Sequence, residues 1–193
     1  MLGLKLPTDP RWVNLAEKSL EEILTDHAYC EQKAATSCIS LIQMYPEHKR
    51  LVEELAPIVT EEWGHFRQVL AELKKRKLNL GKQRKDQYVN ALLNNQKKGG
   101  SPQDRLLEKL LTCAMIEARS CERFRLLSLH LDEDELKKFY HQFMVSEAGH
   151  YRLFIDLAKE YCGEEMVKER WQEYLQKEAE IMESMELRGD RMH

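Results

Sequence analysis

Two stretches of the sequence, EEWGHF at residues 61–66 and SEAGHY at residues 146–151, decide the fold of this protein. Each holds a glutamate and a histidine three residues apart, followed by an aromatic residue: Glu62 with His65, and Glu147 with His150. Residues three apart on a helix lie on one face, so each pair can converge on a single ion. The repeated pair predicts a metal site assembled from two similar halves.

The residues around both stretches follow the period of amphipathic helices. Apolar residues recur at helical spacing from Asp9-Pro10 up to Pro46, and again from about Glu47 to Leu78. No segment alternates with period two over a useful length, so we expect essentially no β-sheet. The pattern predicts two long antiparallel helices joined at Pro46, because proline breaks a helix.

The second half of the chain repeats this arrangement. SPQD at residues 101–104 predicts a third helix capped by Ser101, and DEDE at residues 132–135 predicts a fourth. For the fourth helix we expect a capping box formed by Asp132 and Glu135. Gly163 is the expected stop, and a charged C-terminal helix is predicted from about Glu164 to Glu186.

A single glutamate interrupts the apolar stripe of each partner helix. Glu31 is in register with Leu24 and Cys38, and Glu117 is in register with Leu110 and Cys121. A carboxylate on a buried face is costly unless it is paired or bound to a metal. Both glutamates are therefore candidate ligands.

The distance of each glutamate from its turn supports this assignment. Glu31 lies 15 residues before Pro46 and Glu62 lies 16 residues after it, while Glu117 and Glu147 each lie 15 residues from Asp132. In antiparallel helices, such residues meet at the same depth, here roughly 22 Å from the turn. A duplicated helical hairpin would bring four carboxylates and two imidazoles together in a four-helix bundle. This donor set favours iron or manganese over magnesium or calcium.

Other residues near these motifs have simpler interpretations. His27, one turn before Glu31, is expected to support a ligand or to pack in the core, and the cysteines are read as small core residues. Gly64 and Gly149, each inside a Glu-x-x-His pair, suggest either the close approach of another backbone or room near the metals.

Composition limits the classes of function. The chain has 193 residues and a net charge of −3, which predicts one domain over 1–193 and no general affinity for nucleic acid. The longest uncharged run, residues 34–46, is too short to cross a bilayer, and the N-terminus does not have the pattern of a signal peptide. Five cysteines without paired spacing argue against a disulfide framework, so we expect a cytoplasmic protein. Since no run is long enough to cross a bilayer, we also expect that it does not bind membranes.

Four longer stretches resemble a known family, the tRNA 2-methylthio-N6-isopentenyladenosine hydroxylases. They are DHAYCEQKAA (26–35), SPQDRLLEKLL (101–111), MIEARSCERF (115–124) and LHLDEDELKKFYHQFMVSEAGHYRLF (129–154). The resemblance spans roughly Leu15 to Tyr161, which is also the expected four-helix core. It implies an all-α, ferritin-like four-helix bundle built from two helical hairpins, with an additional C-terminal helix.

The same resemblance implies a reaction. Members of the family are non-haem diiron monooxygenases that use dioxygen and two supplied electrons to hydroxylate the isopentenyl group of a modified adenosine beside the anticodon of tRNA. The chain shows no flavin or nicotinamide fingerprint, so an external donor, a reductase or a ferredoxin, is expected. Carried onto this chain, the iron ligands are Glu31, Glu62, His65, Glu117, Glu147 and His150.

The connection between the hairpins, about residues 74–100, is strongly basic. Between Lys74 and Lys98 it has nine basic residues and one acidic residue, Asp86, a net charge of +8. We expect it to contact tRNA phosphates, although a solvated loop has the same composition. The nine candidates are Lys74, Lys75, Arg76, Lys77, Lys82, Arg84, Lys85, Lys97 and Lys98. Arg119, Arg123 and Arg125 are further candidates, unless they only line the exterior of the bundle.

Other functions occur on the same scaffold. Iron storage or peroxide scavenging, as in ferritins and rubrerythrins, is one alternative, although no Cys-x-x-Cys module is present. Hydroxylation of a quinone precursor is another, although that class would need an exposed apolar surface for the membrane. Fold alone does not choose among these functions.

Overall fold

The computed structural model describes residues 2–193, and no strand occurs among them. This confirms the predicted all-α class. The helices of this part of the chain are α1 (Arg11–Lys18), α2 (Leu20–Met44), α3 (Lys49–Lys75), α4 (Gln87–Asn95), α5 (Pro102–His130), α6 (Asp134–Cys162) and α7 (Glu164–Ser184).

The chain divides into two compact units. Of the described residues, the α2–α3 unit comprises 14–85 and 188–192, and the α5–α6 unit comprises 2–13, 86–187 and 193. Each contains one of the two predicted hairpins.

In the α2–α3 unit, buried leucines of both helices form the core on either side of a short turn. Leu24 and Leu41 of α2 and Leu51 and Leu55 of α3 are all buried. One prediction about this hairpin was wrong, because the first helix is interrupted at Ser19, where φ is −120° and ψ is 41°. The Ser19 N–H still bonds to the carbonyl of Ala16, and its own carbonyl accepts the N–H of Ile23.

The end of the chain also belongs to the α2–α3 unit. Met192 is fully buried, and its N–H donates to the Asp26 carboxylate at 2.8 Å. The guanidinium of Arg191 bonds to the same carboxylate at 2.7 Å. Residues 188–192 therefore form a C-terminal strap held against α2.

In the α5–α6 unit, the predicted start of α5 is confirmed. The Ser101 hydroxyl accepts the N–H of Asp104 at 3.1 Å, and the Asp104 carboxylate accepts the N–H of Ser101 at 2.8 Å. Pro102 occupies the first turn, where the missing N–H does not matter. These reciprocal bonds satisfy two donors that a helix start would otherwise leave without partners.

Of two other helix boundaries predicted for this unit, one is confirmed and one is wrong. Gly163, with φ at 89°, ends α6 and begins α7, as predicted, since glycine tolerates positive φ. The predicted capping box at Asp132 is wrong. Buried Leu131 ends α5 in an extended conformation, so that Glu133 becomes the cap residue of α6, without a side-chain capping bond.

Helix α4 was not predicted within the basic connection. Asp86 caps it by accepting the N–H of Val89 at 3.0 Å, and Tyr88 and Leu92 are its buried residues. Its apolar residues span only nine positions, too short a pattern to stand out within the charged connection. It packs against α5 and α7.

None of the helices in residues 2–193 is long and apolar enough to cross a membrane.

Candidate metal centre

Three predicted ligands converge in the α2–α3 unit. Glu31 of α2 and Glu62 and His65 of α3 are buried, and one ligand atom of each lies within 4.8 Å of the others. Nδ1 of His65 lies 3.3 Å from Oε2 of Glu31 and 3.4 Å from Oε2 of Glu62. The turn-depth prediction is thus confirmed for this hairpin.

A second histidine supports this cluster. His27 has no solvent exposure, and its Nε2 lies 2.7 Å from Oε1 of Glu31. His27 thus contacts one oxygen of the Glu31 carboxylate, while the other oxygen, Oε2, is the one nearer His65. His27 therefore contacts a predicted ligand, and its supporting role stays a prediction.

The α5–α6 unit contains a matching cluster. Glu117 of α5 and Glu147 and His150 of α6 are buried, with one ligand atom of each within 4.8 Å of the others. Nδ1 of His150 lies 3.6 Å from Oε2 of Glu147, and Nε2 lies 3.4 Å from the Ser146 hydroxyl oxygen. The two halves of the chain therefore build the same chemical group twice.

The donor set of each cluster fits a transition-metal ion. In the absence of a cation, the two buried carboxylates of a cluster would repel each other, and burial removes the water that would stabilise their charge. Two carboxylates balance the charge of one divalent ion, and imidazole suits iron or manganese better than magnesium or calcium. The clusters are compatible with a diiron centre.

The glycines inside the two motifs do not mark a close backbone contact. A Cβ placed on Gly64 or Gly149 would meet no atom of another described segment within 4 Å. The first of the two explanations expected from the sequence is therefore wrong, and the space beside both glycines is open.

The nine basic candidates fall into two groups. Lys74, Lys75, Lys77, Lys82, Lys85 and Lys98 are exposed. Arg76 bonds to Glu72 at 2.6 Å, Lys97 lies 2.9 Å from Glu173, and Arg84 bonds to Asp190 in the C-terminal strap. The first group is exposed to solvent, and each member of the second contacts a carboxylate, although Lys97 is itself exposed.

Two of the three arginine candidates in α5 are buried. Arg119 is fully buried and bonds to Glu122 and Glu178, and buried Arg123 lies over the Trp12 ring, 4.6 Å from its centroid. As tRNA contacts, both predictions were wrong, because buried cations cannot meet a phosphate. Arg125 is exposed.

Known proteins resemble this chain along nearly its whole length. The sequence profile of the MiaE family, described as tRNA-(ms2io6A)-hydroxylase, matches residues 2–193. A tRNA 2-(methylsulfanyl)-N(6)-isopentenyladenosine(37) hydroxylase of Pseudomonas putida is 39% identical over 161 residues, covering 83% of this chain and 77% of the relative. A protein of the same name from Salmonella typhimurium is 29% identical over 212 residues, covering 84% and 77%.

A solved structure agrees with these relatives. Protein 43 with aldehyde deformylating oxygenase activity, from Synechococcus, is 35% identical and superposes with a TM-score of 0.92. The match covers 98% of this chain and 94% of that one. The predicted ferritin-like fold is confirmed, and the chain belongs to the MiaE family of tRNA-(ms2io6A)-hydroxylases.

Proposed function

We propose that this protein is an oxygen-dependent diiron monooxygenase that hydroxylates the isopentenyl group of 2-methylthio-N6-isopentenyladenosine next to the anticodon of tRNA. The observation that carries the proposal is the buried cluster of two glutamates and one histidine, present once in each unit. A family of tRNA hydroxylases matched over residues 2–193 supports the choice of substrate.

In this proposal each cluster holds one iron ion. Glu31, Glu62 and His65 would hold one, and a second would be held by Glu117, Glu147 and His150. When bound, the iron pair supplies the activation of dioxygen. The chain contributes the ligands, keeps them buried away from bulk water, and fixes the Glu31 carboxylate through His27.

Two electrons must come from outside the chain. Insertion of one oxygen atom into a C–H bond reduces the other oxygen atom to water and consumes two electrons and two protons. We propose that a reductase or a ferredoxin delivers these electrons. We also propose that the enzyme is cytoplasmic, because its proposed substrate is tRNA and its five cysteines are free thiols.

The direct test is to incubate the iron-loaded, reduced protein with prenylated tRNA and dioxygen, and to analyse the released nucleosides by mass. We expect one added oxygen atom on the modified adenosine. A nucleoside of unchanged mass, formed under conditions that load the iron, would contradict the proposal.

The ligand assignment has its own test, independent of turnover. Metal analysis should find about two iron ions per chain, and Glu147→Ala and His65→Ala should each lose most of the iron bound by its cluster. The matched control is Glu160→Ala, an exposed glutamate on α6. Unchanged iron content in both ligand variants would refute the assignment.

The Synechococcus structure raises a second candidate, aldehyde deformylation. An aliphatic aldehyde incubated under the same conditions separates the two. Release of the shortened hydrocarbon, without oxygenation of tRNA, would favour that activity.

A further inference from the structure

One of the three tryptophans of this protein has a side chain that is exposed to solvent. Of the three, Trp12 is 0% exposed, Trp171 is 9% exposed, and Trp63 is 47% exposed. Trp63 lies within the EEWGHF motif, directly after Glu62. Single exposed apolar side chains are common on protein surfaces, so the case for a ligand at Trp63 rests on what surrounds its ring.

The surroundings of Trp63 form an aromatic platform. The ring of Phe66, one turn later, lies 4.9 Å away between centroids and is tilted by 34°. Gly64 adds no side chain, and a Cβ there would meet nothing within 4 Å. One ring thus supports the indole, while the space beside it stays open.

The charges of α3 make this face selectively cationic. At about 100° per residue, exposed Arg67 and Lys74 lie within about 40° of Trp63 around the helix. Glu61 and Glu72 lie about 160–180° away, on the opposite side. The face from Trp63 to Lys74 extends about 17 Å without a carboxylate and leads into the basic connection.

We propose that Trp63 stacks on an unpaired base of the tRNA loop, with Arg67 and Lys74 contacting phosphates on either side of it. This rests on the proposed tRNA substrate and names a docking residue for the loop on the outer face of α3, since His65 lies about 160° from Trp63 around the helix. Aromatic rings flanked by cations bind single-stranded RNA, because every base has a π-face and every nucleotide has a phosphate. A second copy of the same face would bring no carboxylate to these cations, whereas RNA brings phosphates.

Intrinsic fluorescence gives the test, because the other two tryptophans are buried. Titration of the iron-loaded protein with an unmodified anticodon stem–loop RNA should quench emission, and Trp63→Phe should lose the quenchable component. A duplex RNA of equal length should bind the basic residues without this quenching, since it exposes no unstacked base.

Affinity provides the second measurement. Trp63→Ala should weaken binding of the stem–loop roughly 5- to 150-fold, as expected for the loss of one stacked base. Trp63→Tyr should restore much of it. The control is Leu129→Ala, which removes another exposed apolar side chain from α5 and should bind RNA like the wild type.

Two results would overturn the proposal. One is unaltered affinity and quenching in Trp63→Ala, with the fold intact by circular dichroism. The other is a dimer that Trp63→Ala dissociates while RNA binding is unchanged, which would assign this face to a second copy. The stem–loop carries no modified base and no turnover is needed, so failure of the hydroxylation assay alone leaves this test unaffected.

Discussion

At the scale of single residues, the predicted ligand Glu31 has a close neighbour in buried His27. Its 2.7 Å contact with Glu31 fixes one carboxylate oxygen, so His27→Leu should lower iron affinity roughly 10- to 100-fold, the usual effect of losing such a partner. Competition with a chelator measures this. His141→Leu, at an exposed histidine of α6, is the control, and equal iron affinity in both variants would refute the role of His27.

Arg119 is the residue on which the interior of the α5–α6 unit depends. It is fully buried and bonds to Glu122, to Glu178 and to the carbonyl of Leu6. Arg119→Leu leaves two buried carboxylates without their cation and should cost about 3–5 kcal/mol in the free energy of unfolding. Urea denaturation tests this, with Arg125→Leu as an exposed control that should change little.

The same variant should be sensitive to pH. Burial raises the pKa of Glu178 above its usual value, and Arg119 opposes that rise. Without Arg119 the pKa should rise further, so the folded state keeps a proton that the unfolded state loses near pH 4.5. A carboxyl group with a raised pKa destabilises the fold as pH increases through that range. The stability deficit of Arg119→Leu should therefore be smaller at pH 5 than at pH 7, and a deficit independent of pH would contradict this.

At the scale of elements, the C-terminal strap contacts the basic connection at Arg84 and Lys85. Arg84 bonds to Asp190 and to the carbonyl of Glu22, and Arg191 bonds to the carbonyl of Lys85. Asp190→Ala should therefore speed amide hydrogen exchange in residues 77–85 without lowering global stability much. Hydrogen exchange followed by mass spectrometry reads this directly. Glu186→Ala is the exposed control, and equal exchange in both variants would show that the strap does not hold the connection.

At the scale of the whole molecule, a chain of net charge −3 must bind a polyanion through a local patch. Neutralising six lysines of the connection should weaken tRNA binding and leave iron content and helicity intact: Lys74, Lys75, Lys77, Lys82, Lys85 and Lys98. Each lost phosphate contact should reduce the slope of log affinity against log salt by about 0.9 for duplex or about 0.7 for single strands. Arg76, Arg84 and Lys97 are kept, because they are tied to carboxylates.

The matched control for that experiment neutralises six exposed lysines elsewhere: Lys5, Lys49, Lys138, Lys159, Lys168 and Lys177. It changes the net charge equally. If both variants lose the same affinity, total charge rather than the connection governs binding, and the proposed contacts are wrong.

The sequence by itself determined the two hairpins and the three-residue cluster inside each of them. Helical period, the breaks at Pro46 and Gly163, and equal distance from a turn are local or nearly local properties, and a glutamate on an apolar stripe is visible without coordinates. These features are enough to bring Glu31 to Glu62 and Glu117 to Glu147.

Only the tertiary structure decided which charged residues are buried and which segments return to contact a helix. In the sequence, Arg119 is a candidate surface cation. In the structure it is buried and bonds to Glu178, 59 residues later in the chain. Met192 of the strap contacts Asp26, 166 positions earlier in the chain. Trp63 is exposed because no distant segment within residues 2–193 packs over its ring. Whether a side chain is buried depends on which distant segments of the chain pack against it. The periodicity of one helix carries no information about those segments.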